Sequence, residues 1–466
     1  MLTSLNLHNY QNDIVTHIKD NDNSMLFVNM GLGKTPSTLK AIVDLQDELK
    51  IGSVLVIAPL RIIQSVWQQE AKKWAFSKHL TFSLIHGKYK ESALNKEADI
   101  YLINPEAMVW LSERLDEVYF NRGKAIPFDT LVIDEISKFK NSSSKRFKAF
   151  KTFFLNFNRR IGLTGTPASN GLINLFGEFM CIDAGERLGK TKYAFTNKFF
   201  NKSGYMGYGL ETKDGAEDYI HKIISDITYE LSLEDAGLEL PPVVFNDIYI
   251  DLPPSIRTLY NKMEKEFFVK LDNDKEIDAP NAAAMTMKLR QLCNGSVYDD
   301  RELMTWSKVH DKKLDVLEEI IEESEGSPVL LFYQFIHDRE RILVKYPKAV
   351  FFKAGMSASV TEDIISRWND NKIELLVASP FSTGHGLNLQ YAKKAMMVWF
   401  GLGFSLEVYL QANARIARQG NTTTTVIHRI MSNDTIELCV RDALENKATT
   451  EKELIQAIRT YRRMLK

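Results

Sequence analysis

The sequence predicts an α/β protein: two parallel-sheet units with a mostly helical insertion or connection between them. Three observations carry that prediction. First, short continuous apolar runs, Met25–Val28, Val54–Ile57, Ile100–Ile103 and Thr130–Ile133, alternate with amphipathic segments such as Thr38–Leu49. Runs that are apolar throughout, rather than at every second residue, suit strands covered by helices on both faces. Second, the pattern returns near the end, in Pro328–Tyr333, Leu375–Ala378 and Ala395–Phe400, with helices expected over Glu362–Asn369 and Leu406–Ala417. Third, the intervening stretch lacks this alternation and is punctuated by Pro241-Pro242 and Pro253-Pro254. The expected boundaries are therefore 1–170, 171–325 and 326–466.

Composition narrows the function. The chain has 466 residues, 44% hydrophobic and 26% charged, which is globular rather than disordered. Lys and Arg total 59 against 60 Asp and Glu, a net charge of −1. This excludes a globally basic nucleic-acid coat and leaves room for a local basic groove. Cys181, Cys293 and Cys439 lie far apart without CxxC spacing, so neither a zinc site nor a disulfide framework is expected. The N-terminus lacks a basic then apolar leader, and no apolar run is long enough to span a membrane, so an intracellular, soluble protein is expected.

The chemistry begins at Met30-Gly31-Leu32-Gly33-Lys34-Thr35, between the first strand and a helix. Glycines there let backbone N–H groups wrap a phosphate, and the helix start adds a positive dipole end. Lys34 would neutralise phosphate oxygens and Thr35 would ligate Mg²⁺. Val28 stands where the full eight-residue pattern has its first glycine. The strand Leu131–Ile133 runs into Asp134-Glu135, and ligands gather at such strand ends. Asp134 is the second candidate for Mg²⁺, through water, and Glu135 the candidate for orienting an attacking water. Arg415 and Arg418 are three residues apart and would share a helix face. They are candidate catalytic guanidiniums for a γ-phosphate, or else a solvated basic face.

Together these residues resemble a superfamily-two helicase or translocase of the Swi/Snf type, almost end to end. His8-Asn9-Tyr10-Gln11 is similar to the adenine-reading Q element, with Gln11 the reader. Ile57-Ala58-Pro59-Leu60 with Trp67 and Glu70, and Leu102–Glu106, resemble DNA-facing motifs. Asp134–Ser137 resembles the acidic box, and Leu163-Thr164-Gly165-Thr166-Pro167 the motif coupling ATP and DNA sites. Asn170–Met180 and Leu289–Asn294 fit signatures particular to the Swi/Snf type, and Ser382–Leu389 resembles the Gly-rich motif of the second lobe. The wording of Gly384–Gln390 is most like compact phage-encoded members. Ser137, Asn29, Pro380 and Asn421 depart from the usual residues, without removing Lys34, Asp134, Glu135 or the arginines.

The resemblance implies two RecA-like lobes, an ATP hydrolase with ATP and Mg²⁺ as ligands, and DNA, duplex, forked or branched, as partner. It implies nucleotide contacts at Gln11, Met30, Gly31, Leu32, Gly33, Lys34, Thr35 and Gly386. It implies nucleic-acid contacts at Arg61, Asn104, Thr164, Ser382 and Thr383. Neither a membrane nor an obligate protein partner is expected, and the cytoplasm of a bacterium or phage-infected host is the expected location. A nucleotide-dependent DNA-binding subunit of a restriction, repair or defence complex without motor activity, and an RNA remodeller, are the alternatives. Trp67, Trp74 and Trp110 read as core packing or base stacking, and Arg159-Arg160 as a surface turn.

Overall fold

The continuous apolar runs become the central strands of two parallel sheets. The computed structural model describes residues 1–165, 171–203, 209–237, 240–273, 279–300, 304–353, 355–383 and 387–446. Contacts divide the chain into Met1–Glu239 and Leu240–Lys466.

The strands of the first unit are β1 (Asn23–Val28), β2 (Val54–Ile57), β3 (Phe82–Ile85), β4 (Ile100–Ile103), β5 (Thr130–Asp134), β6 (Arg159–Thr164), the antiparallel pair β7 (Phe200–Ser203) and β8 (Gly209–Thr212), and β9 (Thr228–Leu231). Seven of them form a sheet in the order β3-β4-β2-β5-β6-β1-β9, all parallel. Alternate residues of the same strand serve opposite faces. Met25, Phe27, Leu131 and Ile133 pack with Phe176, Phe179, Phe195 and Ile220 on one side. Leu26, Val28, Val132 and Leu163 pack with Ile14, Leu39, Ile42 and Trp67 on the other. Helices α1 (Asn9–Asp20) and α2 (Lys34–Asp47) contribute to that second face.

The second unit contains β10 (Val243–Ile250), the hairpin β11 (Ser296–Asp300) and β12 (Thr305–Lys308), then β13 (Val329–Phe332), β14 (Val350–Phe352), β15 (Leu375–Ala378), β16 (Met396–Trp399) and β17 (Thr425–Ser432). Its six-stranded sheet has the order β10-β17-β16-β13-β15-β14, again parallel.

The 171–325 stretch is divided between the units. Its first part supplies β9 and much of the aromatic packing of the first sheet. Its second part supplies β10 and the helices Pro254–Asn273 and Ala279–Asn294, whose Tyr260, Leu289, Leu292 and Cys293 pack against Ile436 and Cys439. The Leu289–Asn294 signature ends on a buried polar cluster. Lys313 Nζ donates to Asn294 Oδ1 at 2.9 Å, Glu437 Oε1 at 2.6 Å and the Phe400 carbonyl at 3.0 Å. Asn294 Nδ2 in turn donates to Asp338 Oδ2 at 2.8 Å. The buried ammonium is thus paired and hydrogen-bonded, as burial of a charge requires.

Two local expectations are corrected. Arg159-Arg160 is not a surface turn: it opens β6, and Arg159 is buried. Its guanidinium donates to the carbonyls of Ile18 and Asn21 and to Asp22 Oδ1, covering the exposed carbonyls at the end of α1. The helix expected over Leu406–Ala417 ends at Asn413. Arg415 Nε takes the Gln411 carbonyl, which a continuing helix would offer to the Arg415 N–H; that N–H turns to Ala412 instead. Among the described residues, no helix is long and apolar enough to cross a membrane.

Candidate functional site

In the first unit, the expected site residues collect along one edge of the sheet, at the carboxyl ends of its strands. The phosphate-loop residues follow β1, Arg61 follows β2, Asn104 follows β4, and Asp134 and Thr164 end β5 and β6. This is where an open parallel sheet presents its ligands. The register places Asp134 opposite Leu163, and Phe27 opposite Thr164, so β6 lies between loop and acid.

The loop Asn29–Gly33 connects β1 to α2. Gly31 has φ 88° and Gly33 φ 79°, a left-handed backbone that glycine adopts without penalty. Gly33 also leaves room for Gln11, whose Nε2 a Cβ at position 33 would strike. Gln11 is buried, accepts the His8 N–H at its Oε1 (2.9 Å) and lies with Nε2 3.5 Å from the Leu32 carbonyl. The expected adenine reader is therefore built against the phosphate loop through the start of α1. Lys34 Nζ donates to the carbonyls of Val28 (2.5 Å) and Asn29 (3.3 Å), and Thr35 lies half-buried beside it in the first turn of α2. Leu32 is buried as a loop anchor; Met30 approaches Gly165, where an added Cβ would come within 2.9 Å of it and 3.4 Å of Lys34 Nζ.

Asp134 is buried and accepts the indole N–H of Trp67 at 3.0 Å. Burial pushes its carboxyl above the usual range; the Trp67 N–H, the Lys34 charge and a backbone hydrogen bond at Glu135 oppose that rise. Glu135 adopts φ 66°, ψ 59°. For a non-glycine residue this left-handed backbone costs about 1–2 kcal/mol, and such strain concentrates at functional positions. Its Oε1 accepts the Ser137 hydroxyl at 3.0 Å and lies 3.5 Å from Thr164 Oγ1. Ser137, where the resemblance marked a departure, thus keeps a hydroxyl on the acid. Thr164 was expected at nucleic acid; it is buried beside Glu135 instead, because β6 ends between β1 and β5.

Of the residues expected at nucleic acid, Arg61 is half-buried at the start of a π turn over Ile62–Val66, and burial lowers its pKa. Asn104 is buried and donates to Glu106 Oε2 at 2.7 Å. Sequence reasoning took Trp67 as core or stacking, and its buried ring is core. Its contact with Asp134 was not read, because the two are 67 positions apart and sequence spacing carries no sign of the pairing.

In the second unit, Ser382 Oγ donates to the Ser379 carbonyl at 2.7 Å in the short Pro380–Thr383 helix. Arg415 is 5% exposed, with Nε on the Gln411 carbonyl (3.0 Å) and a terminal nitrogen 3.4 Å from the Leu387 carbonyl. Arg418 is half-buried in the turn beyond, so the two arginines do not share a helix face. Gly386 and its neighbours Gly384 and His385, with Thr166–Asn170 and the Thr383 side chain, lie outside the described residues. Among those described, no group of three or more His, Cys, Asp or Glu would hold a metal alone. A hydroxyl and a carboxylate, Thr35 and Asp134, near a phosphate cradle are instead the hard oxygen donors that suit Mg²⁺ shared with a phosphate.

Known proteins are similar to this chain along most of its length. Residues 6–297 match the SNF2-related domain, and residues 312–420 the helicase conserved C-terminal domain. Protein p41 of Acyrthosiphon pisum secondary endosymbiont phage 1 is 35% identical, over 97% of this chain and 98% of that protein. The uncharacterized ATP-dependent helicase MG018 of Mycoplasma genitalium is 26% identical over 98% of this chain, which spans 43% of that protein's length. Among solved structures, the Sulfolobus solfataricus SWI2/SNF2 ATPase core in complex with dsDNA is 25% identical, covering 97% of this chain and 93% of that one, with a TM-score of 0.44.

Proposed function

Because the chain belongs to the SNF2-related family of ATP-dependent helicases and translocases, we propose that it is an ATP-driven motor that moves on duplex or branched DNA. The observation that supports this best is the line of Lys34, whose side chain reaches the carbonyl of Val28 at the end of β1, with Thr164, Asp134 and Glu135 at the ends of the neighbouring strands β6 and β5.

The proposed reaction is attack of water on the γ-phosphorus of ATP, with cleavage of the bond to the β,γ-bridging oxygen. Backbone N–H groups of the loop cradle the phosphates, and Lys34 leaves its two carbonyl partners to neutralise phosphate oxygens. Glu135, held at Oε1 by Ser137 and Thr164, orients the water and takes up its proton. Thr35 and Asp134 would hold Mg²⁺, which when bound would supply positive charge against the phosphate oxygens. Thr164 is the proposed relay, since its own strand end touches Glu135 while Gly165 abuts Met30 and Lys34. Arg418 is the proposed guanidinium acting on transition-state charge. Arg415 is proposed to hold the Gly-rich segment through the Leu387 carbonyl.

Arg61 and Asn104, on the β2 and β4 side of the same edge, are the proposed backbone contacts. Phosphate contacts there would be independent of sequence, as a motor requires. The test is ATP turnover without nucleic acid and with single-stranded, duplex and forked DNA and RNA, paired with a strand-displacement assay. Stimulation by duplex or forked DNA is expected. Turnover indifferent to all of them would refute the motor and leave a nucleotide-dependent binding subunit; stimulation by RNA alone would move the substrate to RNA.

A further inference from the structure

The chain places a tryptophan against the acid expected to serve the metal, and neither composition nor motif spacing accounts for that contact. Trp67 is fully buried among Leu39, Ile42, Val132 and Leu163 on the α2 side of the first sheet. A Trp so deep needs a partner for its N–H, and it finds Asp134 Oδ2 at 3.0 Å. Asp134 is itself 8% exposed, so its carboxylate has few routes to water and depends on protein donors for its orientation.

The backbone makes this contact specific. Residues Ile62–Val66 form a π turn, and the Trp67 N–H closes it on the Ile62 carbonyl, five residues back. A π turn is wider than an α turn and rare, and such turns occur frequently at functional sites. Here it sets the rotation at which the helix Trp67–Lys73 starts, and with it the direction of the indole. Arg61 begins the same turn, so a single turn of backbone separates the residue proposed for nucleic acid from the one that grips Asp134.

We propose that Trp67 is a positioning residue for the Mg²⁺ site: its indole N–H fixes one oxygen of Asp134 and so sets the carboxylate plane offered to the metal's water shell. The proposal rests on the reading of Asp134 as a metal-side carboxylate. Groups that orient metal-side ligands in this way change metal affinity by roughly 10–100-fold when removed.

The experiment uses the full chain, with Mn²⁺ as the probe and ADP present, reading bound and free Mn²⁺ by electron paramagnetic resonance. Asp134→Asn should weaken Mn²⁺ binding. Trp67→Phe, which keeps an aromatic ring and removes the donor, should weaken it by about 10-fold, with metal-free ADP affinity unchanged. If Asp134→Asn has no effect, the reading of Asp134 fails. If Asp134→Asn weakens binding and folded Trp67→Phe does not, that reading survives and the positioning role is refuted.

Should Trp67→Phe fail to fold, the unmodified protein still decides through ¹⁵N-indole spectra. Signals of Trp74, Trp110, Trp306, Trp368 and Trp399 are identified by replacing each in turn, which leaves Trp67. Its indole resonance should move when Mg²⁺ is added to the ADP-loaded protein, and again in Asp134→Asn. A resonance unmoved by both overturns the proposal.

Discussion

Replacing Gly33 by Ala tests the phosphate loop at its tightest point. The substitution makes two separable demands. At φ 79° a Cβ imposes left-handed strain of about 1–2 kcal/mol. It also lands on Gln11 Nε2. Gln11 cannot swing aside without cost, because its Oε1 is bonded to the His8 N–H at the start of α1. Losing a helix-start hydrogen bond of this kind costs about 1 kcal/mol. The sum is about 2–3 kcal/mol on the first unit, or a fall in melting temperature of about 5–10 °C at the usual conversion for domains of this size. Gly123→Ala is the control: its φ is 64° and a Cβ there meets nothing within 4 Å, so only the backbone strain applies. In a Gln11→Ala background the cost of Gly33→Ala should drop to the control level, a coupling a double-mutant cycle reads directly. Thermal unfolding of the four variants, followed by nucleotide titration, measures it. Equal costs for Gly33→Ala in both backgrounds would refute the reasoning that Gln11 is built against the loop.

Other expectations follow from the same geometry. Lys34→Ala and Glu135→Gln should each abolish ATP turnover while DNA binding persists, measured by phosphate release and fluorescence anisotropy; DNA-stimulated turnover by Glu135→Gln would remove Glu135 from the water-positioning role. Arg418→Ala should lower turnover by ~10³-fold with little change in melting temperature. Arg415→Ala should destabilise the second unit by about 1–3 kcal/mol, because the Gln411 and Leu387 carbonyls lose a buried donor. His310 gives a pH prediction. Its Nε2 pairs with the Leu292 carbonyl at 2.9 Å and its Nδ1 accepts the Lys312 N–H at 3.3 Å, which requires the neutral ring. Burial, with help from the charges of Arg341 and Lys313, lowers its pKa from 6.5 to about 4. The unfolded chain therefore binds the extra proton first, so this contribution is present above pH 6.5 and is lost as pH falls to 4. The loss is on the order of 3 kcal/mol at 1.36 kcal/mol per pH unit. Acid unfolding of His310→Gln should show a flatter dependence across that interval.

What the sequence discloses, and what it hides, follows from how each residue is solvated. β2 and β4 are legible because Val54–Ile57 and Ile100–Ile103 are covered on both faces and so read as unbroken apolar runs. β6 is hidden because it opens with two arginines: Arg159 is held by the Ile18 and Asn21 carbonyls and paired with Asp22, and Arg160 donates to Asn23 Oδ1, partners that a hydrophobicity pattern does not show. β10 is hidden for the opposite reason: it lies at the edge of its sheet, with Val243, Val244, Phe245 and Tyr249 exposed. The glycines, Lys34 and the Asp134-Glu135 pair were legible as motifs, since chemistry restricts which residues can do that work. The company they keep was not. Trp67 on Asp134, Thr164 on Glu135 and Arg415 on the Leu387 carbonyl are contacts between distant positions, set by strand order and helix endings that no local pattern encodes.

Strand β9 has a practical consequence. It is added parallel to β1, opposite Met25–Val28, from residues far downstream of the coupling motif. Without it, the strand that feeds the phosphate loop would become the rim of the sheet, with a row of unmet amides inviting self-association. A fragment trimmed soon after residue 165, where the motifs of the first half run out, is therefore expected to be sticky and poorly behaved. One that extends through Leu231 would keep its seam closed, which makes that residue the sensible minimum for expressing the first half by itself.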